Sequence, residues 1–166
     1  MIKLIVLDVD GCLSDGGLIY SAEGVESKAF NVKDGLGISS WIKLGNMAAI
    51  ITGRESAIVK RRAEELGIQH LFQGVHDKER VLEELQASLG LQLYEIAAIG
   101  DDLNDYDMLS KVGRSFTPNN GVKEIQAIVE TTLSCLGGHG AVREMIDMLV
   151  DENNQREAFL SLWTKG

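Results

Sequence analysis

Two aspartates one residue apart, Asp8 and Asp10, follow the mostly apolar run Ile2 to Leu7 and stand directly before Gly11 in MIKLIVLDVDGCLSDGG. Three further chemically loaded stretches lie downstream: ITGR with Thr52, Gly53 and Arg54, HDK with Lys78, and GDDLND from Gly100 to Asp105. If Asp8, Asp10, Asp101, Asp102 and Asp105 converge, the cluster needs a cation, because two like charges ~4 Å apart repel by about 4 kcal/mol at an effective dielectric near 20. The candidate ligands in these stretches are oxygens, which points to Mg²⁺ rather than zinc. The remaining parts suit phosphate: a hydroxyl at Thr52, close backbone approach at Gly53, and a cation at Lys78 for the oxygens of a transferring phosphoryl group. A carboxylate can attack phosphorus to give an aspartyl phosphate. A second, two residues on in an extended chain, faces the same side and could pass protons to the leaving group and from water.

Elements of alternating type must position these residues. KLIVLDV, NMAAIIT, QHLFQGV and YEIAAIGDD read as buried strands, and GLGISSWIKLG, ESAIVKRRAEELG, KERVLEELQASLG, NDYDMLSKVG and GAVREMIDMLV as helices. Strands alternating with helices predict an α/β fold with a doubly wound parallel sheet. In such a sheet ligands bind beyond the carboxyl ends of the strands, where all four stretches would fall. The segment Gly16 to Val32 breaks the rhythm and reads as an inserted β-hairpin, Leu18 to Tyr20 and Val25 to Val32. Two isolated strands are marginal in water, so the hairpin is expected to lean on another surface, plausibly another subunit. Gln155 to Trp163 reads as a terminal helix.

The chain has 166 residues, 45% of them hydrophobic, and is expected to form one domain. Its net charge is −9, from 25 acidic and 16 basic residues, with no basic stretch, which argues against nucleic acid or an anionic membrane as partner. Cys12 and Cys135 lack the spacing of a disulfide framework or zinc site. The apolar run at the N-terminus is too short for a signal sequence or membrane span, so a cytoplasmic location is expected.

In order, DVDGCLSDG, ITGR, Lys78 and GDDLND resemble the four motifs of the haloacid dehalogenase superfamily of phosphatases. The resemblance implies Asp8 as nucleophile, Asp10 as general acid and base, and Thr52 and Lys78 as phosphate stabilisers. It implies a metal shell of Asp8, the Asp10 carbonyl, Asp101 and, through water, Asp102, with Asp105 orienting Lys78. The intervals between motifs hold no large insertion, so no cap domain is expected.

FNVKDGLGI, TGRES, RAEELGI, FQGVHDK and GGHGAVRE are similar to the 3-deoxy-D-manno-octulosonate 8-phosphate phosphatases, over Lys3 to about Leu149. That resemblance implies a phosphorylated sugar acid as substrate and a homotetramer in which the hairpin meets a neighbour's site. Arg54 and Arg62 are the candidates for the sugar-acid carboxylate, which arginine grips bidentately, with Gly53 beside the phosphate. The stretch Ser115 to Ser134 and His139 depart from the family pattern. Enzymes acting on 2-keto-3-deoxynononate 9-phosphate share the catalytic motifs but carry an acidic residue at the place of Arg54. Two other classes compete. A phosphoryl-receiver module combines similar residues in a different order, and a non-catalytic assembly module would not need the complete motif set.

Overall fold

The computed structural model describes residues 1–165. Six strands form one parallel sheet: β1 (Leu4–Leu7), β4 (Met47–Ile51), β5 (His70–Phe72), β6 (Ile96–Ile99), β7 (Arg114–Thr117) and β8 (Thr131–Thr132), in the order β5-β4-β1-β6-β7-β8. β1 lies between β4 and β6, with Leu7 opposite both Ile50 and Ile99. The chain runs to one side of β1 and then the other, and this reversal opens a crevice beyond the end of β1. A separate antiparallel pair, β2 (Ile19–Tyr20) and β3 (Glu26–Ser27), forms the expected hairpin. It is shorter than predicted, because Asn31 caps the next helix by accepting the Lys33 N–H at 2.8 Å and Val32 is already helical.

The helices cover both faces. α1 (Val32–Lys43), α2 (Ala57–Leu66) and α6 (Ala141–Glu152) bury Ile38, Trp41, Val59, Ala63, Val142, Met145 and Leu149 against Ile5 and Leu7 of β1. α3 (Lys78–Leu89), α4 (Tyr106–Lys111) and α5 (Lys123–Gln126) bury Leu82, Leu85, Met108, Leu109 and Ile125 against Leu4 and Val6. The period of two along β1 thus divides its side chains between two cores and assigns the next residue, Asp8, to the α3 and α4 face. A final helix, α7 (Arg156–Ser161), buries Phe159, and beyond it Trp163 donates its indole N–H to Ser40 Oγ at 2.9 Å. Among the described residues no cap domain interrupts the sheet and no helix is long and apolar enough to cross a membrane.

Asp34 on α1 is only 1% exposed; its Oδ1 accepts the Arg143 N–H at 2.8 Å and its Oδ2 has no hydrogen-bond partner among the described residues. Burial raises its carboxyl to about 6, against the backbone N–H groups of Arg143 and Gly140 and the charges of Arg62 and Arg143. A carboxyl raised in the folded state holds its proton more tightly there than in the unfolded chain. Its contribution to stability is therefore gained as pH falls through about 6 toward the ordinary 3.8 and lost as pH rises. In urea denaturation, the stability of wild type relative to Asp34→Asn should be greater at pH 5 than at pH 7, by about 1 kcal/mol.

Candidate active site

β1 ends at Leu7, two residues before the predicted end, and the two aspartates are presented by a turn rather than by an extended chain. Residues Val9–Leu13 form a wide turn in which the Ser14 N–H reaches back to the Val9 carbonyl at 3.0 Å. The turn needs Gly11: its φ is +93°, and a Cβ there would stand 1.9 Å from Asp101 Oδ2. Gly137 presses on the same turn, since its own Cβ would fall 1.7 Å from the Gly11 carbonyl oxygen, and the Gly138 N–H donates to the Cys12 carbonyl at 2.9 Å. The Gly137–Gly140 stretch therefore buttresses the turn that carries Asp10.

A pocket of about 280 Å³ opens at this end of the sheet, lined by Asp8, Asp10, Gly16, Thr52, Gly53, Arg54, Asp101, Asp102 and Asn104. Thr52 directly follows β4 and is buried, its backbone N–H held by the Phe72 carbonyl. Asp101 and Asp102 follow β6 through Gly100. Lys78 approaches from beneath as the first residue of α3, whose cap Asp77 accepts the Arg80 N–H at 3.0 Å. A helix start is an unfavourable place for a cation, so the position of Lys78 is set by its partners. Its Nζ donates to Asp8 Oδ1 at 2.7 Å and to Asp105 Oδ1 at 2.6 Å, with no more than 6% of any of the three side chains exposed. Asp105 in turn accepts the N–H groups of Asp101 and Asp102 on Oδ2, at 2.9 and 3.3 Å, and so ties Lys78 to the GDDLND loop.

The electrostatics describe a site short of positive charge. Burial raises the Asp8 carboxyl well above its usual range and Asp105 adds to the effect, against the pull of Lys78. Burial and then Asp105 raise Asp101 to about 6. For Lys78, burial favours the neutral amine, but Asp8 and Asp105 outweigh it and the net shift is upward. Carboxylate oxygens of Asp8 and Asp101 and the Cys12 sulfur lie within 4.8 Å of one another. Burial, with Asp8, Asp101 and Asp105, drives the Cys12 thiol well upward, and the charged donors of the set are the carboxylate oxygens of Asp8 and Asp101. Such a set, with excess negative charge, fits Mg²⁺. Asp102 is partly committed elsewhere, since its Oδ1 accepts the Leu103 N–H at 2.7 Å.

Of the residues expected from sequence, Arg62 is not brought to this pocket. Its guanidinium lies over the Phe30 ring, against Gly35 of α1 and 3.5 Å from Glu65. Arg54 does line the pocket, where the Tyr20 hydroxyl accepts from its Nη2 at 2.7 Å. Three participants escaped the sequence reading: Asn104, Glu26 and Lys28. The Lys28 ammonium contacts Asp10 Oδ1 at 2.6 Å and Glu26 Oε1 at 3.1 Å, with 1% of its side chain exposed. Only the alternation of charge in the hairpin, Glu26 and Lys28 two residues apart, marked these two.

The family model for haloacid dehalogenase-like hydrolases matches residues 68–145. The 3-deoxy-D-manno-octulosonate 8-phosphate phosphatase of Yersinia pestis is 39% identical over 161 residues, 97% of this chain and 86% of that protein. The corresponding phosphatase of Moraxella catarrhalis, solved in complex with a magnesium ion, a phosphate ion and a KDO molecule, superposes with a TM-score of 0.95 at 44% identity, covering 98% of this chain and 94% of that one. A cobalt-bound form of the Haemophilus influenzae phosphatase matches with a TM-score of 0.89 at 38% identity, over 92% of this chain and 90% of that one. With its sheet, its four motifs and this breadth of similarity, the chain belongs to the 3-deoxy-D-manno-octulosonate 8-phosphate phosphatase family of haloacid dehalogenase-like hydrolases.

Proposed function

We propose that this chain is a Mg²⁺-dependent phosphatase that hydrolyses 3-deoxy-D-manno-octulosonate 8-phosphate to the free sugar acid and phosphate. The observation that carries the reading is the buried Asp8–Lys78–Asp105 array beside Asp101, opening on a pocket that also holds Asp10, Thr52 and Arg54. Lys78 fixes Asp8 through one oxygen and leaves the other for attack on phosphorus. As the Asp8–phosphorus bond forms and the ester bond breaks, Asp10 gives its proton to the leaving sugar oxygen. Asp10 then takes a proton from water, which attacks the aspartyl phosphate, releases phosphate and restores the Asp8 carboxylate. Thr52 and Lys78 supply donors for the phosphoryl oxygens. Asp8, the Asp10 carbonyl, Asp101 and, through water, Asp102 would hold the metal. Bound Mg²⁺ supplies the positive charge that the carboxylates and the transferring phosphoryl group require.

Arg54 is the residue proposed to pair with the sugar-acid carboxylate, with Gly53 allowing close approach beside it. The hairpin supports a homotetramer reading, since Leu18, Ile19, Tyr20 and Val25 are each more than half exposed and the two strands have no core of their own. A small-molecule substrate fits the net charge of −9, which disfavours nucleic acid as partner.

The test is phosphate release with and without Mg²⁺, comparing kcat/KM for the octulosonate 8-phosphate and the nononate 9-phosphate. A preference for the eight-carbon acid that is lost on chelation supports the reading. Turnover of generic esters with neither acid preferred would retain the chemistry and reject the substrate. Arg54→Glu should lower kcat/KM for the octulosonate ester about 10-fold or more, chiefly through KM, because it removes the carboxylate's partner and installs a like charge.

A further inference from the structure

Asp10 is held from behind by the hairpin. Its Oδ1 accepts from the Lys28 ammonium at 2.6 Å, and the same ammonium is shared with Glu26 Oε1 at 3.1 Å. Lys28 does not line the catalytic pocket, and 1% of its side chain is exposed. Its charge is therefore directed at these two carboxylates. The remaining Asp10 oxygen, Oδ2, lies 4.0 Å from Arg54 Nε on the pocket wall. Without Lys28 the carboxylate would be free to turn onto the guanidinium of Arg54, a stronger bidentate partner.

We infer that Lys28 is a positioning residue for the proton-transfer step: it pins Oδ1 of Asp10 so that Oδ2 faces the leaving oxygen of the substrate. The inference rests on the proposed function only in so far as Asp10 is the general acid. The fold brings the two together, since Lys28 follows β3 of the hairpin and Asp10 lies in the turn after β1. Glu26 completes the arrangement by balancing the second half of the ammonium charge, which keeps Lys28 fixed without leaving an unpaired buried cation.

The experiment is a comparison of kcat/KM for an alkyl phosphate and for p-nitrophenyl phosphate in wild type, Lys28→Met, Lys28→Arg and Asp10→Asn. The alkyl leaving group needs a proton as the ester bond breaks, whereas p-nitrophenolate leaves without one. Lys28→Met should lower kcat/KM for the alkyl ester about 10- to 100-fold, part of the roughly 10² to 10⁴ that general acid–base catalysis supplies, and lower the aryl ester less than about 3-fold. Lys28→Arg, which keeps a charged donor, should recover much of the alkyl rate. In the Asp10→Asn background, Lys28→Met should leave the alkyl-to-aryl ratio unchanged. Equal losses on both esters, no loss on the alkyl ester, or a further fall of the ratio in the Asp10→Asn background would each overturn the inference. Urea denaturation reports retained folding in every variant, independently of turnover. Should wild type turn over a simple alkyl ester such as glycerol phosphate but not the octulosonate ester, the substrate assignment fails and the ratio still tests Lys28.

Discussion

Asp8→Asn is expected to abolish phosphate release, by at least about 10⁴-fold in kcat, while leaving the protein as stable as wild type or more so. The kinetic part follows from the proposed role of Asp8, since an amide cannot form the aspartyl phosphate. The stability part follows from the electrostatics of the metal-free chain. Burial and Asp105 already raise the Asp8 carboxyl well above its usual range, so its charged form is held at a cost. The amide keeps the shape and an oxygen acceptor for Lys78, which also retains Asp105 at 2.6 Å. Phosphate-release kinetics and urea denaturation on the same preparation separate the two effects. A variant that loses activity and stability together would assign Asp8 a structural role instead.

Lys78→Met should fail on both counts. Its ammonium is the shared counter-charge of Asp8 and Asp105, and removing it leaves two buried carboxylates facing each other. Breaking a buried ion pair from one side costs about 3–5 kcal/mol. Loss of a preorganised donor to the phosphoryl group should further lower kcat by about 10² to 10³. The double variant Lys78→Met with Asp105→Asn discriminates between these contributions. It removes one of the stranded charges, so denaturation should show part of the stability returning, a non-additivity expected of residues in direct contact. Turnover should not return, because the cation is still missing. Recovery of kcat along with stability would mean that Lys78 serves folding alone.

The hairpin connects these results to the rest of the molecule. It places Lys28 and Glu26 behind Asp10 and Tyr20 beside Arg54, while its outer apolar side chains stay exposed. One short insertion thereby touches the proposed proton-transfer residue and the proposed substrate-binding arginine at once. A chain without a cap domain needs some other cover for its site, and this hairpin is the element in position to take part.

Much of the architecture was legible in the sequence because it depends on local periodicity. The apolar runs at β1, β4 and β6 and the stripes of α2, α3 and α6 stand where their spacing predicted, and the motifs fall at the carboxyl ends of the strands as a parallel sheet requires. The two short strands β7 and β8 were missed. RSFT and TT carry a single large apolar residue between them, Phe116; β7 is a strand because β6 offers an edge on which to pair, and β8 because β7 does. The approach of Lys78 to Asp8 and Asp105 could be expected from the family resemblance that the motifs carry. Where Arg62 points, and that Lys28 meets Asp10, could not. A long cation on a helix or hairpin can reach any partner within its side-chain radius, and the choice depends on which surfaces the fold brings near. In this chain Gly35 of α1 and Phe30, which precedes the helix cap, pack against Arg62 away from the pocket, while the hairpin folds back to lay Lys28 on Asp10. The sequence by itself determined the reaction chemistry and the sheet that presents it; the tertiary structure decided which cations complete the site, because burial and long-range ion pairing are properties of surfaces distant in the chain.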